Sequence, residues 1–429
     1  MSSFPFPKSL LCALITCAPM TTYAGEDAFY DALSGGKASG NFRLRYESVD
    51  VTSPTVKDAE ALTLRSRLGY ETAPLAGFTA MAEFEDTRII GAFDEYAPNK
   101  AGFAAIVDPE QTELNQAFVR YRGISKLDVI AGRQKILLDN QRFVGNVGWR
   151  QNEQTFDALT LNYKGISDWS FYYAYIGAVQ GIAKIKPNTN FSFDTDDHLL
   201  NIQYSGFQLG KITAYAYLLN NQALDLNQLN PALRYQANDT LGLRFDGAYV
   251  MPTTLPLRLL YTAEYAQQTL TNPALVEKDM DYYYLDLGIA YTTKQGPLVF
   301  KVYEESLGSD KGTQGFQTPY ATKHAFEGWA DMFLGTPTTG VVYDTATLSM
   351  DMTALGIKWL INYGTYKQDE GNKDFGDEIN AQVLKAFGKK YTIGLKYADY
   401  SADKAIATIN PVTPNIDTKK VWLWGEMAF

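Results

Sequence analysis

The chain has 429 residues, a formal net charge of −10, 14% aromatic residues and a mean hydropathy of only −0.22. The acidic balance excludes a general nucleic-acid binder, which needs basic residues to displace counterions. Beyond the first residues no stretch reaches the ~18 to 20 uninterrupted apolar residues of a spanning helix, so a membrane would be crossed by strands, and abundant rings with low hydropathy suit a sheet with one apolar and one wet face.

Residues 1–24 read as a secretory leader: Lys8 is the basic residue, Ser9 to Ala18 the apolar run and Thr22-Tyr23-Ala24 a small-x-small cleavage site. A lipidated Cys17 after Leu14-Ile15-Thr16 is the alternative, disfavoured by the size of Thr16. The leader takes with it Lys8 and both cysteines, Cys12 and Cys17, leaving 25–429 at −11 with no disulfide or thiolate metal site. No internal repeat or linker marks a second domain, so 25–429 reads as one unit.

From Gly36 onward the pattern is period 2. Phe42, Leu44 and Tyr46 alternate with Asn41, Arg43, Arg45 and Glu47; Leu62, Leu64, Leu68 and Tyr70 alternate with Thr63, Arg65, Arg67 and Glu71. Eighteen such runs are predicted, near residues 41, 62, 78, 113, 127, 154, 168, 196, 208, 239, 256, 281, 298, 345, 355, 377, 391 and 418, with sixteen as the alternative count. Short connections, such as 73–77, 123–126 and 388–390, alternate with long ones, such as 91–112, 137–153, 307–344 and 402–417. That is the layout of an antiparallel transmembrane β-barrel with short periplasmic turns and long outer loops.

The loop between the strands near 127 and 154 is rich in Gly, Asn, Gln and Arg. It shows no apolar face to bury, so it is expected to fold into the bore, its Gly145-Asn146-Val147-Gly148 segment packing close to the wall and Arg142, Trp149 and Arg150 forming the constriction. Within the longest loop, Phe326, Trp329 and Phe333 fall at helical spacing over Lys323 to Leu334; the expectation is that these rings anchor the loop on the barrel rim. The chain ends with Val421, Leu423, Met427 and Phe429 on one face, the kind of aromatic terminus by which barrel-assembly machinery recognises its clients.

Ten of the thirteen arginines lie between residues 43 and 150. By alternation Arg43, Arg45, Arg65, Arg67, Arg120 and Arg122 point into the bore, where a planar guanidinium grips a carboxylate with two hydrogen bonds. Glu83 and Glu85, with Glu47 and Glu71, share that lumen, so the arginines either bind anionic solutes or neutralise these acids in a cross-strand ladder. Arg133 joins the pore-lining candidates. Catalysis lacks support: the two histidines, His198 and His324, sit in no triad or metal pair, and no phosphate loop or dinucleotide fingerprint occurs. No cofactor, metal or catalytic residue is expected.

Gly132 to Leu159, with its G-R-Q, D-N-Q-R-F-V-G and W-R-Q-N-E-Q-T-F-D-A, and His324 to Thr336 (H-A-F-E-G-W-A-D-M-F-L-G-T) resemble the alginate-export family of bacterial outer-membrane porins. The resemblance implies an eighteen-stranded monomeric barrel with a narrow basic bore for anionic saccharides. Together these readings lead to an outer-membrane channel passing small polar solutes, with a preference for anions or acidic sugars, held among outer-membrane lipid and lipopolysaccharide. The rival expectation is an adhesin or receptor barrel acting through its long loops; a barrel-embedded hydrolase comes third.

Overall fold

The computed structural model describes residues 26–185, 189–190, 192–220, 237–271, 277–371, 373–403 and 415–429, so the leader expected over 1–24 lies outside the described residues. A short helix, α1 (Glu26–Ser34), precedes the barrel. The strands are β1 (Lys37–Val51), β2 (Ala59–Glu71), β3 (Phe78–Glu95), β4 (Gln111–Tyr121), β5 (Leu127–Gln134), β6 (Thr155–Tyr163) and β7 (Trp169–Gln180). A two-residue ribbon, β8 (Lys184–Ile185) and β9 (Thr189–Asn190), stands apart from the main sheet. Then come β10 (Phe193–Phe207), β11 (Gly210–Leu219), β12 (Asn238–Val250), β13 (Leu257–Thr271), β14 (Glu277–Thr292) and β15 (Pro297–Leu307). The last are β16 (Val341–Met352), β17 (Ile357–Lys367), β18 (Asp374–Phe387), β19 (Tyr391–Ala402) and β20 (Thr418–Ala428).

Apart from the ribbon, the strands form one 18-stranded antiparallel sheet in which each pairs with its chain neighbours, and β1 pairs with β20 to close the cylinder. Closure removes the sheet edges, which is the condition for a strand structure to sit in lipid. All eighteen predicted strands are present. At the seam Gly40 and Phe429 exchange two backbone hydrogen bonds of 3.0 Å each. A Cβ at Gly40 would stand 2.4 Å from the Phe429 ring, so glycine lets the terminal ring lie against the β1 backbone.

Burial is the inverse of a soluble fold. Leu44, Leu68, Leu241, Leu287 and Leu395 are exposed on the outer face, while Arg43, Arg45, Arg65, Glu85 and Glu264 are buried on the inner one. The alternation read from sequence is thus lipid-out and polar-in. One boundary differs: β3 continues through Glu95, past the loop expected from Gly91. After an irregularity near Ala61 its upper end still finds partners on β2, Asp94 opposite Ala61 and Glu95 opposite Glu60. The outer loop there is therefore 96–110.

Candidate functional site

Two long loops meet inside the barrel. The first leaves β5 at Gln134, whose buried amide donates to the Ala158 carbonyl at 3.0 Å and accepts from the Thr160 hydroxyl at 3.0 Å. It then crosses the bore. Asp139 accepts from Asn201 at 2.7 Å and Gln203 at 3.0 Å on β10. Phe143 inserts among Tyr215, Tyr217 and Tyr282 of the far wall and Phe316, with ring centroids 5.1–6.1 Å away. Leu138 and Val144 are buried beside it. The expectation that this loop has no apolar surface to bury is corrected: a single ring flanked by polar residues gives no periodic signal, yet it fills a tyrosine socket.

The return crossing is held by the arginine wall. Arg43 donates from Nη2 to the Trp149 carbonyl at 3.0 Å and from Nε to Gln151 Oε1 at 2.9 Å, and Arg45 donates to the same Trp149 carbonyl at 2.6 Å. Gln151 donates to Thr63 Oγ1 at 2.8 Å, and Asn152 accepts from Thr87 at 2.8 Å. Glu153 pairs with Arg67 and, at 2.8 Å, with Lys135. Val147 sits at φ +53°, a left-handed conformation costly for a β-branched residue, of order 1–3 kcal/mol. The Thr322 hydroxyl holds it there by accepting Val147 N–H at 3.1 Å.

The second loop, 308–340, also lies inside. The expected rim anchor is overturned, and the only helix among its residues is the 3₁₀ turn Lys323–Ala325. Phe333 packs into Tyr366, Phe375 and Tyr400 at 4.5–6.1 Å, and Tyr320 donates to Asp197 at 2.5 Å. The rings turn inward because the wall from β11 to β19 presents tyrosines that bury them, whereas the rim offers only water. The backbone of Trp329 and Ala330 donates to Glu378 at 2.5 and 3.1 Å. The two loops are tied together by Gly145 N–H to the Tyr320 carbonyl at 2.8 Å and by Gln154 Nε2 to both Gly145 and Tyr320 carbonyls at 3.0 and 3.2 Å.

Charges complete the junction. Arg142 is fully buried between Glu305 of β15, at 2.5 Å, and Glu327 of the second loop, and it lies over the Phe326 ring at 4.9 Å. Arg150 pairs with Glu47 at 3.1 Å and Asp331 at 2.8 Å. Asp331 also pairs with Lys420 at 2.8 Å and accepts from His324 Nδ1 at 2.7 Å. Lys396 donates to His324 Nε2 at 2.7 Å and stands over Trp329 at 3.6 Å and Trp149 at 4.3 Å. Trp149 in turn stacks flat on His324, centroids 4.7 Å apart. A third segment, 96–110, contributes Asp108, which pairs with Arg45 and accepts Gln151 N–H at 2.7 Å.

Burial pushes Glu327 up to about 7 despite Arg142. Burial, then Lys396, holds His324 down at about 3. Asp331 stays well below the ordinary carboxylate range; burial opposes this, and Lys420 and His324 outweigh it. At neutral pH His324 is thus the uncharged Nδ1–H tautomer, a spacer between Lys396 and Asp331 and no metal ligand.

Of the residues singled out from sequence, Arg43, Arg45, Arg65, Arg67, Arg142, Trp149 and Arg150 converge here, with Glu85 paired to Arg67 and Glu83 accepting from Asn115 and Gln116 at 2.8 and 2.9 Å. Arg120 lies lower, beside Glu71 at 3.3 Å. Arg122, one residue beyond β4, stays on the side of Arg120 at the lower mouth: both pair with Asp128, at 2.7 and 3.4 Å, and the Arg122 backbone joins the turn at Gly77. One placement is corrected. Arg133 sits opposite Asp157 on the face of Ala131 and Leu159, outside the bore, and forms a two-bond pair with Asp157 at 2.7 and 2.9 Å. The sequence reading missed the tyrosine wall and the acids Asp108, Glu305, Glu327 and Asp331. Alternation does put Tyr282 and Tyr284 on one face with Asp286, but a ring facing inward looks the same as one facing lipid.

A family model described as alginate export matches residues 37–331. No curated protein matches the chain. Among solved structures, Pseudomonas aeruginosa OccD3 (OpdP) aligns with TM-score 0.65 at 11% identity, covering 93% of this chain and 92% of that one. P. aeruginosa OpdK with vanillate aligns with 0.67 at 12%, covering 92% and 99%. Acinetobacter baumannii OccAB1 aligns with 0.65 at 12%, covering 93% and 97%. At these identities the likeness is one of fold.

Proposed function

From the premise that the chain belongs to the alginate-export family of bacterial outer-membrane barrels, we propose that it passes small acidic solutes, uronate-like saccharides foremost, through a constriction built by its two inward loops. The family and the closed barrel go with passive diffusion of small solutes; the charge preference is the finer reading. One observation carries it. Arg43 and Arg65 stand directly opposite each other across β1 and β2. Among the described residues Arg43 has no carboxylate at ion-pair distance; its bonds go to Gln151 and to loop carbonyls. Arg65 has only Glu426, at 3.3 Å. Like charges side by side in a narrowed passage hold an uncancelled positive potential, which raises the local concentration of anions. OpdK's structure with vanillate shows a barrel of similar fold holding a small carboxylic acid. The outer apolar face is assigned to lipid and lipopolysaccharide, and Phe429 to recognition by the assembly machinery.

The test is the reversal potential of single channels in a potassium chloride gradient, with and without glucuronate. Anion selectivity and block by glucuronate at millimolar concentration are expected; a cation-selective channel indifferent to glucuronate overturns the reading. The receptor alternative draws on a different observation, the complete burial of Arg142, Gln151 and Asn152 in the crossing loop. A barrel with no conductance in any salt would favour it.

A further inference from the structure

Away from the constriction, at the periplasmic rim, α1 presents three different faces. One holds the barrel: Ala32 is buried, its carbonyl accepts Ala73 N–H at 2.9 Å, and the Leu33 carbonyl accepts the Tyr70 hydroxyl. Tyr70 follows Leu64 and Leu68 along the lipid-facing row of β2, so the helix is fastened to the outside of the cylinder. At 100° per residue Phe29, Tyr30 and Leu33 form a second face, 57%, 68% and 44% exposed. Asp27 and Asp31 form the third, also exposed.

We propose that α1 is an interfacial helix, its Phe29, Tyr30 and Leu33 immersed in the headgroup–acyl boundary of the inner phospholipid leaflet and its two aspartates turned to the periplasm. The occupant follows from continuity. Tyr70, Phe78, Tyr121 and Phe429 form the aromatic belt at this end of the barrel, Phe78 and Tyr121 with centroids 4.5 Å apart. The exposed face of α1 extends that belt sideways, and rings paired with a polar face suit this depth. The acidic third face favours zwitterionic phosphatidylethanolamine over a strongly anionic surface. The helix thereby fixes the depth of the barrel in the membrane. This inference rests on the barrel and not on the solute preference.

The experiment uses the cysteine-free chain 25–429 with single substitutions Phe29→Cys, Leu33→Cys, Asp27→Cys or Asp31→Cys. Each carries a nitroxide, in vesicles of phosphatidylethanolamine and phosphatidylglycerol. Power saturation compares oxygen with a soluble nickel chelate as relaxant. Several-fold higher oxygen-to-nickel ratios are expected at 29 and 33 than at 27 and 31. Equal, nickel-dominated accessibility at all four sites overturns the proposal. So does spin–spin broadening at 29 and 33 that vanishes when barrels are diluted one per nanodisc, since it would assign the face to a second copy. Heat-dependent gel migration of each variant confirms that the barrel is intact before its spectrum is read.

Discussion

Replacing Arg142 by Met should release the crossing loop without opening the barrel. Arg142 is fully buried and serves two carboxylates at once, Glu305 on the wall and Glu327 on the second loop. Removing the cation leaves Glu305 buried with, among the described residues, only the Tyr282 hydroxyl, at 2.9 Å, to serve it, a loss of ~3–5 kcal/mol for a broken buried ion pair, while methionine keeps most of the volume. At about 1.4 kcal/mol per tenfold, the loop's docked-to-undocked ratio falls on the order of 10²- to 10⁴-fold. The barrel itself does not depend on this pair, because each of its strands is bonded on both sides. Single-channel recording should therefore show higher mean conductance and frequent sub-states, and amides of 137–153 should exchange faster with deuterium, while the unheated gel mobility is unchanged. Adding Glu305→Gln removes the stranded charge on the wall and should recover part of the docking, a double-mutant coupling of at least ~1 kcal/mol. An Arg142→Met barrel that is folded, conducts as the parent does and shows parental loop exchange would refute the reasoning.

Deleting Phe143 to Arg150 should leave a heat-modifiable barrel of raised conductance, and parental conductance in the folded deletion would place the loop outside the solute path. Phe143→Ser empties the socket of Tyr215, Tyr217 and Tyr282 and should loosen the loop by ~2 kcal/mol, below the scale for a fully buried ring because Phe143 is partly buried, read as faster exchange of 138–145. Arg65→Gln should move the reversal potential toward cations, because it removes a positive charge with a single carboxylate among the described residues, Glu426, at ion-pair distance; no shift would mean its charge does not reach the solute. Loop docking should also depend on pH from both sides. Glu327, raised from 4.5 to about 7, contributes fully below 4.5 and loses its contribution as pH rises through about 7. His324, lowered from 6.5 to about 3, contributes above 6.5 and loses it as pH falls toward 3. Conductance flicker should therefore be least at roughly pH 5–6, and a monotonic dependence from pH 4 to 8 would contradict these assignments.

The barrel was legible in the sequence because its cause is local. A strand repeats every two residues, so Leu44 beside Arg43 and Arg45 already says which side meets lipid, and eighteen such runs with short and long connections leave only a closed antiparallel sheet. The same locality limits the site. Alternation assigns a face but no height and no partner, so it placed Arg43, Arg45, Arg65 and Arg67 correctly and misplaced Arg133, whose partner Asp157 lies on the outer face. The loops' routes were decided by residues far away in the chain: Arg142 meets Glu305 across 163 positions, and Arg43 meets Gln151 across 108. A polar loop can be seen to need hydrogen-bond partners, but only the curvature of the closed wall brings arginines of β1 and tyrosines of β11 to opposite ends of one loop. What the sequence determined by itself was therefore the solvent of each strand face; the tertiary structure alone decided that two loops cross the bore and meet there, because that depends on buried pairs formed across the lumen.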